Sequence, residues 1–341
     1  MMQKQKTPYC LCLCGLLLLQ SITAAQDLHF SQFFEAPLLR NPSLAGIFTG
    51  DVRAQAVYRS QWNSVTTAYR TASVNAEYRM PIGRNNDFIT TGVQMLHDAA
   101  GTVGWRTTHM LPALNYHKSL SATRMSYLSA GFMGGPVQQR LDITKITTNT
   151  TYDMGGTGEN IPAASLTYFD AAAGLSYHAQ IGDSKEQAFF LGMAYHHFNR
   201  PKSSFYRNTD VEVQPKWVAS AGFKLLVGDN SFVTLQADHT RQGTFSQTIG
   251  GALFGYKLGP DPDAPDYVVH AGTFVRWNDA LIPVIKLDYF PMSLTFSYDA
   301  NISTLRPSSF GRGGFELGVS YTAFVRRRSP TGNDLIWPRF Q

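Results

Sequence analysis

The sequence predicts an all-β fold, a transmembrane antiparallel β-barrel of about 14 strands with both termini on the periplasmic side. Three observations predict this fold class. Apolar and polar residues alternate strictly in many short segments, most clearly between Ser293 and Asn301. Charged residues make up only 16% of the chain, against roughly 25% in ordinary soluble domains. After residue 26, no uninterrupted apolar stretch is long enough for a membrane-spanning helix.

The alternation indicates strands that have one apolar and one polar wall, because successive side chains of a strand point to opposite faces. In the clearest segment, Leu294, Phe296 and Tyr298 form the apolar wall. A closed barrel turns such walls towards lipid and leaves no backbone group of the sheet unpaired. The high aromatic content, 13% of the chain, fits the interfacial girdles of such a barrel.

Residues 1–25 have the features of a secretory signal peptide. Lys4 and Lys6 supply the positive region, Leu11 to Leu19 the apolar region, and Thr23-Ala24-Ala25 a small-residue cleavage site before Gln26. A transmembrane anchor is the alternative, but the apolar region is short for one. All three cysteines lie before the cleavage site. The mature chain therefore lacks disulfides, thiolate metal sites and cysteine nucleophiles.

Residues 26–50 are predicted to form an N-terminal periplasmic or lumenal segment rather than a membrane strand. Pro37 and Pro42 would interrupt a ladder of hydrogen bonds, and Asn41-Pro42 favours a turn. Phe30 and Phe33 would be costly if left in water. We therefore expect this segment to pack on the periplasmic rim or inside the lumen.

Residues 51–325 are predicted to form the barrel. Connections after even-numbered strands are short, and the longest ones follow odd-numbered strands, as expected for periplasmic turns and external loops. Residues 326–341 are then a periplasmic tail whose basic start could meet anionic headgroups or an acidic partner. The fourteen strands are predicted near residues 51–60, 69–80, 87–97, 107–119, 124–138, 166–181, 187–198, 215–227, 231–241, 246–258, 266–276, 281–290, 292–301 and 313–325.

The sequence contains no recognisable motif for catalysis, cofactor binding or metal binding. The Gly-rich stretch before Glu159 lacks the Lys-Ser or Lys-Thr of a phosphate-binding loop. His196 and His197 are adjacent, so on a strand they would point to opposite walls and could not share an ion. The chain contains no Gly-x-Ser-x-Gly motif. We expect no enzyme activity, no cofactor and no metal site.

The charges predict a polar lumen and no nucleic-acid binding. The net charge of +5 is scattered over the chain rather than clustered into a basic patch. Inward-facing charges of both signs are expected to pair across strands, whereas an ion-selective pore more often shows a ring of one sign. These inward charges are Arg53, Arg59, Glu77, Arg79, Asp170, Lys224, Asp238, Lys286, Asp288 and Glu316.

An ordered set of short motifs carries a family resemblance that composition does not explain. Before the first strand stand Phe30-Ser31-Gln32-Phe33, Asn41-Pro42 and Ala45-Gly46, and Tyr58-Arg59 follows on that strand. This order of residues resembles the PorP/SprF family of Bacteroidetes outer-membrane proteins, which is linked to type IX secretion and gliding motility. The resemblance is strongest over residues 27–102, and Trp337 stands where the family commonly has Cys. The motif residues, with a partner-binding or structural role implied by the resemblance, are Phe30, Ser31, Gln32, Phe33, Pro37, Asn41, Pro42, Ala45, Gly46, Tyr58, Arg59, Gln61, Trp62, Pro338, Arg339 and Phe340.

The resemblance implies a non-enzymatic component of the secretion and gliding machinery in the cell outer membrane. Its implied partners are a secreted or surface protein with a type B C-terminal sorting domain, periplasmic peptidoglycan-associated components and outer-membrane lipid. External connections would hold the cargo, and residues 26–50 and 326–341 would meet periplasmic partners. The alternative function is an outer-membrane diffusion channel or small-solute transporter. Side chains nearly fill the interior of an eight-stranded barrel, whereas fourteen strands enclose more space.

Overall fold

The computed structural model describes residues 27–61, 67–83, 86–149, 151, 161–184, 186–304 and 313–325, and its fold is all-β. The segment from Met292 to Asn301 is one strand interrupted at Asp299, and its two parts carry separate labels, so fifteen labels describe a sheet of fourteen strands. The elements are β1 (Val52–Gln61), β2 (Tyr69–Ile82), β3 (Asp87–Ala100), β4 (Trp105–Ser119), β5 (Ser126–Arg140), β6 (Ser165–Gln180), β7 (Ala188–His196), β8 (Lys216–Gly228), β9 (Ser231–Gln242), β10 (Phe245–Leu258), β11 (Tyr267–Arg276), β12 (Ala280–Tyr289), β13 (Met292–Tyr298), β14 (Ala300–Asn301) and β15 (Phe315–Ala323).

The sheet closes on itself. Each strand is antiparallel to the next along the chain, and β15 returns to pair with β1. In this closing pair, Val52 lies opposite Ala323 and Arg59 lies opposite Glu316. The predicted antiparallel barrel of about 14 strands is confirmed, and its strands lie near the predicted positions.

Side chains alternate between the lumen and the outer surface, as the period of two requires. On β1, Arg53, Gln55 and Arg59 are buried, whereas Ala54 and Tyr58 are exposed. The outer surface carries large apolar side chains on nearly every strand, including Leu175 on β6, which is 60% exposed. Such a surface is stable only against hydrocarbon, so the barrel is an outer-membrane fold.

The two ends of the barrel differ in their connections. We call the end at which β5 and β7 finish the loop end, and the end at which β8 and β12 finish the turn end. The longest connections follow odd-numbered strands, as predicted. Two connections at the loop end, residues 243–244 and 277–279, are nevertheless short. The rim is therefore low beside β9 to β12.

Residues 27–50 lie inside the barrel and are called the plug. The plug contains a 3-10 turn (Phe33–Glu35), a short α-helix (Pro37–Arg40) and a second 3-10 turn (Pro42–Leu44). Every residue of the plug is buried or half-buried. The lumen is thus filled by the chain's own N-terminal segment, packed against wall side chains far away in sequence.

The plug runs the full length of the lumen. Asp27 contacts Lys216, at the loop end, whereas the carbonyl of Phe48 accepts a hydrogen bond from Arg79, at the turn end. The amide of Val325 bonds to Asp51, also at the turn end. The described chain therefore begins and finishes at opposite ends of the barrel, and the periplasmic location of both termini stays a prediction. No helix among the described residues is long and apolar enough to cross a membrane.

Candidate functional site: the plug and the mouth cavity

A tight turn at Asn41-Pro42 fixes the middle of the plug. The Asn41 side chain accepts hydrogen bonds from the Ser43 amide at 2.9 Å and from its hydroxyl at 2.7 Å, which caps the second 3-10 turn. Pro42 suits the first position of that turn, because proline lacks a backbone N–H group and an N–H group there would have no partner within the turn. Asn115, on β4, donates to the carbonyls of Ser43 and Ala45 at 2.7 and 2.9 Å. The turn is thereby tied to the wall.

Glycines in the wall make room for this turn. A Cβ atom placed on Gly131 would lie 2.5 Å from the carbonyl carbon of Pro42, and one on Gly174 would lie 1.9 Å from the Asn41 Oδ1 atom. At both positions the plug lies so close to the wall backbone that no residue larger than glycine fits without a shift. The wall sequence and the plug sequence are therefore complementary at these sites.

Ion pairs that join the plug to the wall lie in the middle of the lumen. Lys286 donates to Glu35 at 2.8 Å, and Glu35 also accepts from Gln55 and Thr295. Arg40 donates to Asp238 at 2.7 Å. Buried charges of this kind are stable only when they are paired and hydrogen-bonded. The wall charges that the sequence placed in the lumen are thus partly neutralised by the plug, not only by neighbouring strands.

An aromatic cluster joins the plug to one side of the barrel wall. The ring of Phe274, on β11, stacks on Phe34 and meets Phe33 edge-on, each at a centroid distance of 5.3 Å. Ile282 and Val284, on β12, complete this buried cluster. This apolar contact adds to the ion pairs and holds the plug against β10 to β12.

Glu77 and Arg53 hold the plug at the turn end. Glu77 accepts a hydrogen bond from the Gly46 amide at 2.7 Å and forms an ion pair with Arg53 at 2.7 Å. Gly46 has a φ of +85°, and a Cβ there would overlap Thr90, so only glycine fits. A small cavity of about 20 Å³ lies beside Arg53 at this end.

A cluster of charges holds the start of the plug at the loop end. Asp27 contacts both Lys216 and His197, and His197 also bonds to Asp170 at 2.8 Å. Burial by itself lowers the pKa of the His197 imidazole. The Asp27 charge and hydrogen bonds with Asp170 and Asp27 outweigh burial and raise that pKa to about 9. His197 is therefore protonated at neutral pH and bridges two carboxylates.

A cavity of about 380 Å³ opens at the loop end and is called the mouth cavity. Arg276 lines it, two residues along β11 from Phe274. Its floor includes Asp299, at the break between β13 and β14, which accepts hydrogen bonds from Ser31 and Arg276 at 2.8 and 2.7 Å. Gln61 and Trp277 stand at its rim.

The motif residues fall into three groups. Those of the plug are all buried: Phe30, Ser31, Gln32, Phe33, Pro37, Asn41, Pro42, Ala45 and Gly46. On β1, Tyr58 faces outwards, Arg59 faces the plug and Gln61 lines the mouth cavity. Trp62, Pro338, Arg339 and Phe340 lie outside the described residues. The described motif residues thus serve mainly the contact between plug and wall.

Sequence reasoning missed the wall partners of the plug. Glu35 pairs with a residue about 250 positions away in sequence, and Asn115, Arg276 and Asp299 had no recognisable motif. The expected geometry of the two adjacent histidines was also wrong. His197 lies just after β7 with a φ of +55°, so that both His196 and His197 are buried. Among the described residues, no group of three His, Cys, Asp or Glu side chains could hold a metal ion.

Comparisons with known proteins agree with this architecture. The toluene transporter TbuX of Ralstonia pickettii has 8% identity, covers 85% of this chain and 94% of its own, and has a TM-score of 0.53. The P. putida toluene transporter TodX has 8% identity, covers 86% and 95%, and has a TM-score of 0.49. At these identities the first likeness supports the barrel fold alone. No curated protein sequence matches the chain.

The family is shown by sequence. The model of the type IX secretion system membrane protein PorP/SprF matches residues 22–321, which include the plug and all but the last residues of the barrel. This range exceeds half of the chain and contains the plug motifs and their wall partners. The protein is therefore a member of the PorP/SprF family of type IX secretion system membrane proteins.

Proposed function

We propose that the protein is a non-enzymatic outer-membrane adaptor of the type IX secretion and gliding machinery in a Bacteroidetes cell. Its loop end holds a secreted or surface-attached protein with a type B C-terminal sorting domain. Its turn end meets periplasmic, peptidoglycan-associated components. It reaches the outer membrane after cleavage of the signal peptide, residues 1–25.

The filled lumen is the observation that carries this proposal. The plug occupies the interior of the barrel and is held there by ion pairs such as Glu35 with Lys286 and by the aromatic cluster around Phe274. Such a barrel offers its two ends as surfaces rather than its lumen as a path. Long connections at the loop end supply the larger surface. Because the plug residues are buried, we assign periplasmic contacts to the turn end and to residues 326–341, and we assign the plug a structural role.

Affinity purification from detergent-solubilised membranes tests the proposal. A tagged barrel should recover both a secreted protein with the sorting domain and periplasmic components. A variant in which a short Gly-Ser turn replaces residues 141–164 should lose the secreted protein and keep the periplasmic components. The matched control is a Gly-Ser replacement of residues 120–125, at the turn end, which should keep the secreted protein. Recovery of the barrel alone from wild-type membranes contradicts the proposal.

The alternative is a diffusion channel or small-solute transporter. The mouth cavity of about 380 Å³ favours it, but the plug is held across the lumen by buried contacts such as that between Glu35 and Lys286. A channel would therefore require the plug to move. Conductance of the purified protein in planar bilayers separates the two functions: a stable open state favours the channel, and silence favours the adaptor.

A further inference from the structure

Three arginines lie on the outer surface of the barrel near the loop end and are called the arginine row. Arg70 is the second residue of β2, Arg106 the second residue of β4, and Arg140 the last residue of β5. All three are exposed, whereas Thr71 and Thr107, next to them on β2 and β4, are buried. Because successive side chains of a strand point to opposite faces, the three guanidinium groups lie outside the lumen.

The register of the sheet places these arginines side by side. Arg70 lies opposite Ala99 on β3, Ala99 lies opposite Arg106, and Arg106 lies opposite Arg140. Neighbouring strands are about 4.8 Å apart, so the backbone positions of the row span about 14 Å. Ala99 carries only a methyl group and leaves the space between Arg70 and Arg106 open to a ligand.

Within the part of the chain that the structure describes, no carboxylate pairs with the arginine row. Two carboxylates come close to it in sequence or in register. Asp98 faces the lumen and accepts a hydrogen bond from Thr71 at 2.6 Å. Asp142 forms an ion pair with Lys145 at 3.5 Å, so these two charges cancel. The row therefore presents three positive charges on the outer surface without a described counter-charge.

Arg106 and Arg140 form a like-charge pair on directly opposite residues of two strands. Like charges in this arrangement destabilise the strand pair, and an anion between them would remove the repulsion. A phosphate group suits the position because a guanidinium group can donate two parallel hydrogen bonds to it. Arginine at all three positions, rather than lysine, fits this bidentate recognition.

The arginine row lies beyond the apolar band of the barrel. The first large apolar side chains below it on the outer face are Val74 on β2 and Met110 on β4, each 48% exposed. Both are four residues from the arginine of the same strand, which corresponds to about 13 Å along the strand. A charge within the hydrocarbon would be costly, whereas a charge beyond the apolar band meets lipid headgroups. The membrane itself therefore brings phosphate groups to the row.

We propose that the arginine row binds the phosphate group of a glycolipid in the leaflet at the loop end. Arg106 and Arg140 hold the phosphate between them, and Arg70 contacts the headgroup across the gap at Ala99. The long connections of outer-membrane barrels face the outside, which makes this leaflet the outer one. The inference does not depend on which protein the adaptor holds. A bound lipid would keep β2 to β5, and the long connection after β5, at a fixed depth.

Native mass spectrometry of the purified full-length barrel in detergent tests this inference, with monophosphoryl lipid A as the probe. The matched ligand is the same lipid without its phosphate group, and we expect it to be retained at least tenfold less. Arg106→Gln should lower the occupancy of the phosphorylated lipid at least fivefold. Arg241→Gln is the matched control and should lower it less than twofold. Arg241 is also exposed near the loop end, on β9, but it stands opposite Trp217 and Ser246 rather than another arginine.

Four results would overturn the inference. Equal retention of the two lipids would remove the role of the phosphate group. Equal losses in Arg106→Gln and Arg241→Gln would reduce binding to general attraction by surface charge. Displacement of the lipid by inorganic phosphate at equal concentration would show that the free ion suffices. Loss of a like-charge pair should leave the melting temperature in lipid-free detergent unchanged or raise it. A lower melting temperature of Arg106→Gln would instead assign the row a structural role.

Discussion

Lys286, on the barrel wall, and Glu35, in the plug, form a buried ion pair at 2.8 Å with both side chains about 2% exposed. Glu35 receives further hydrogen bonds from Gln55 and Thr295, so its charge is satisfied by three different strands. This pair joins two segments about 250 residues apart in sequence. The plug therefore contributes to the stability of the folded barrel.

The first prediction concerns this pair. Glu35→Gln removes the closer of two carboxylates beside the buried Lys286 ammonium, at 2.8 Å against 3.8 Å for Asp288, and removal of one partner of a buried pair costs about 3–5 kcal/mol. We expect a loss of that size in the free energy of unfolding, measured by urea titration in phospholipid vesicles. The double variant Glu35→Gln/Lys286→Met should recover part of the loss because no charge remains unpaired. An additive loss in the double variant would show that the two residues do not interact.

The second prediction concerns the fit of the plug. Gly131→Ala places a methyl group 2.5 Å from the backbone of Pro42, so the plug must shift, at a cost of about 1–3 kcal/mol for overpacking. Hydrogen exchange should increase at residues 41–46 and stay unchanged in β9 and β10. Gly250→Ala is the control, because the nearest atoms to its added methyl group belong to Ala237 and Gln236 in the wall. Equal exchange in both variants would contradict the packing described here.

The third prediction is a pH dependence at the loop end. The pKa of His197 is raised from its ordinary value of 6.5 to about 9, so the ion bridge to Asp27 and Asp170 contributes fully below pH 6.5. Its contribution is lost as the pH rises through about 9. Hydrogen exchange at residues 27–30 should therefore accelerate between pH 7 and pH 10, after correction for the intrinsic rate. His197→Gln should abolish this dependence, and an unchanged profile in that variant would exclude His197 as its origin.

The fourth prediction concerns orientation. If the loop end faces the outside, as long connections of outer-membrane barrels do, Asp27 lies near the cell surface. A biotin-acceptor tag inserted directly before Asp27 should be labelled on intact cells. The same tag inserted between Asp229 and Asn230, at the turn end, should be labelled only after lysis. The reverse pattern would place the loop end in the periplasm.

The strands could be predicted from the sequence because their signal is local. Leu294, Phe296 and Tyr298 alternate with polar residues, and this alternation predicts both a strand and its outer face from a few residues. The prolines and phenylalanines of residues 26–50 likewise exclude a membrane strand without any tertiary information. Local pattern was therefore sufficient for the barrel and for its approximate strand number.

The path of the plug could not be predicted in the same way. Arg40 finds Asp238, and Ser31 finds Asp299, across roughly 200 or more residues, and no periodicity links them. The prediction that His196 and His197 point to opposite faces of a strand was also wrong, because β7 ends at His196 and the backbone turns at His197. The mouth cavity could not be predicted either. It lies beside the short connections 243–244 and 277–279, which belong to different hairpins, and the sequence does not show how these connections are arranged in space.

The central claim is that the plug closes the barrel, and single-channel recording in planar bilayers measures it most directly. Purified wild-type protein, recorded with its plug intact, should show no stable large conductance at moderate voltage. Replacing residues 31–46 with a Gly-Ser linker of equal length should produce large, long-lived openings in the same preparation. A stable large conductance in the wild-type protein would contradict the account.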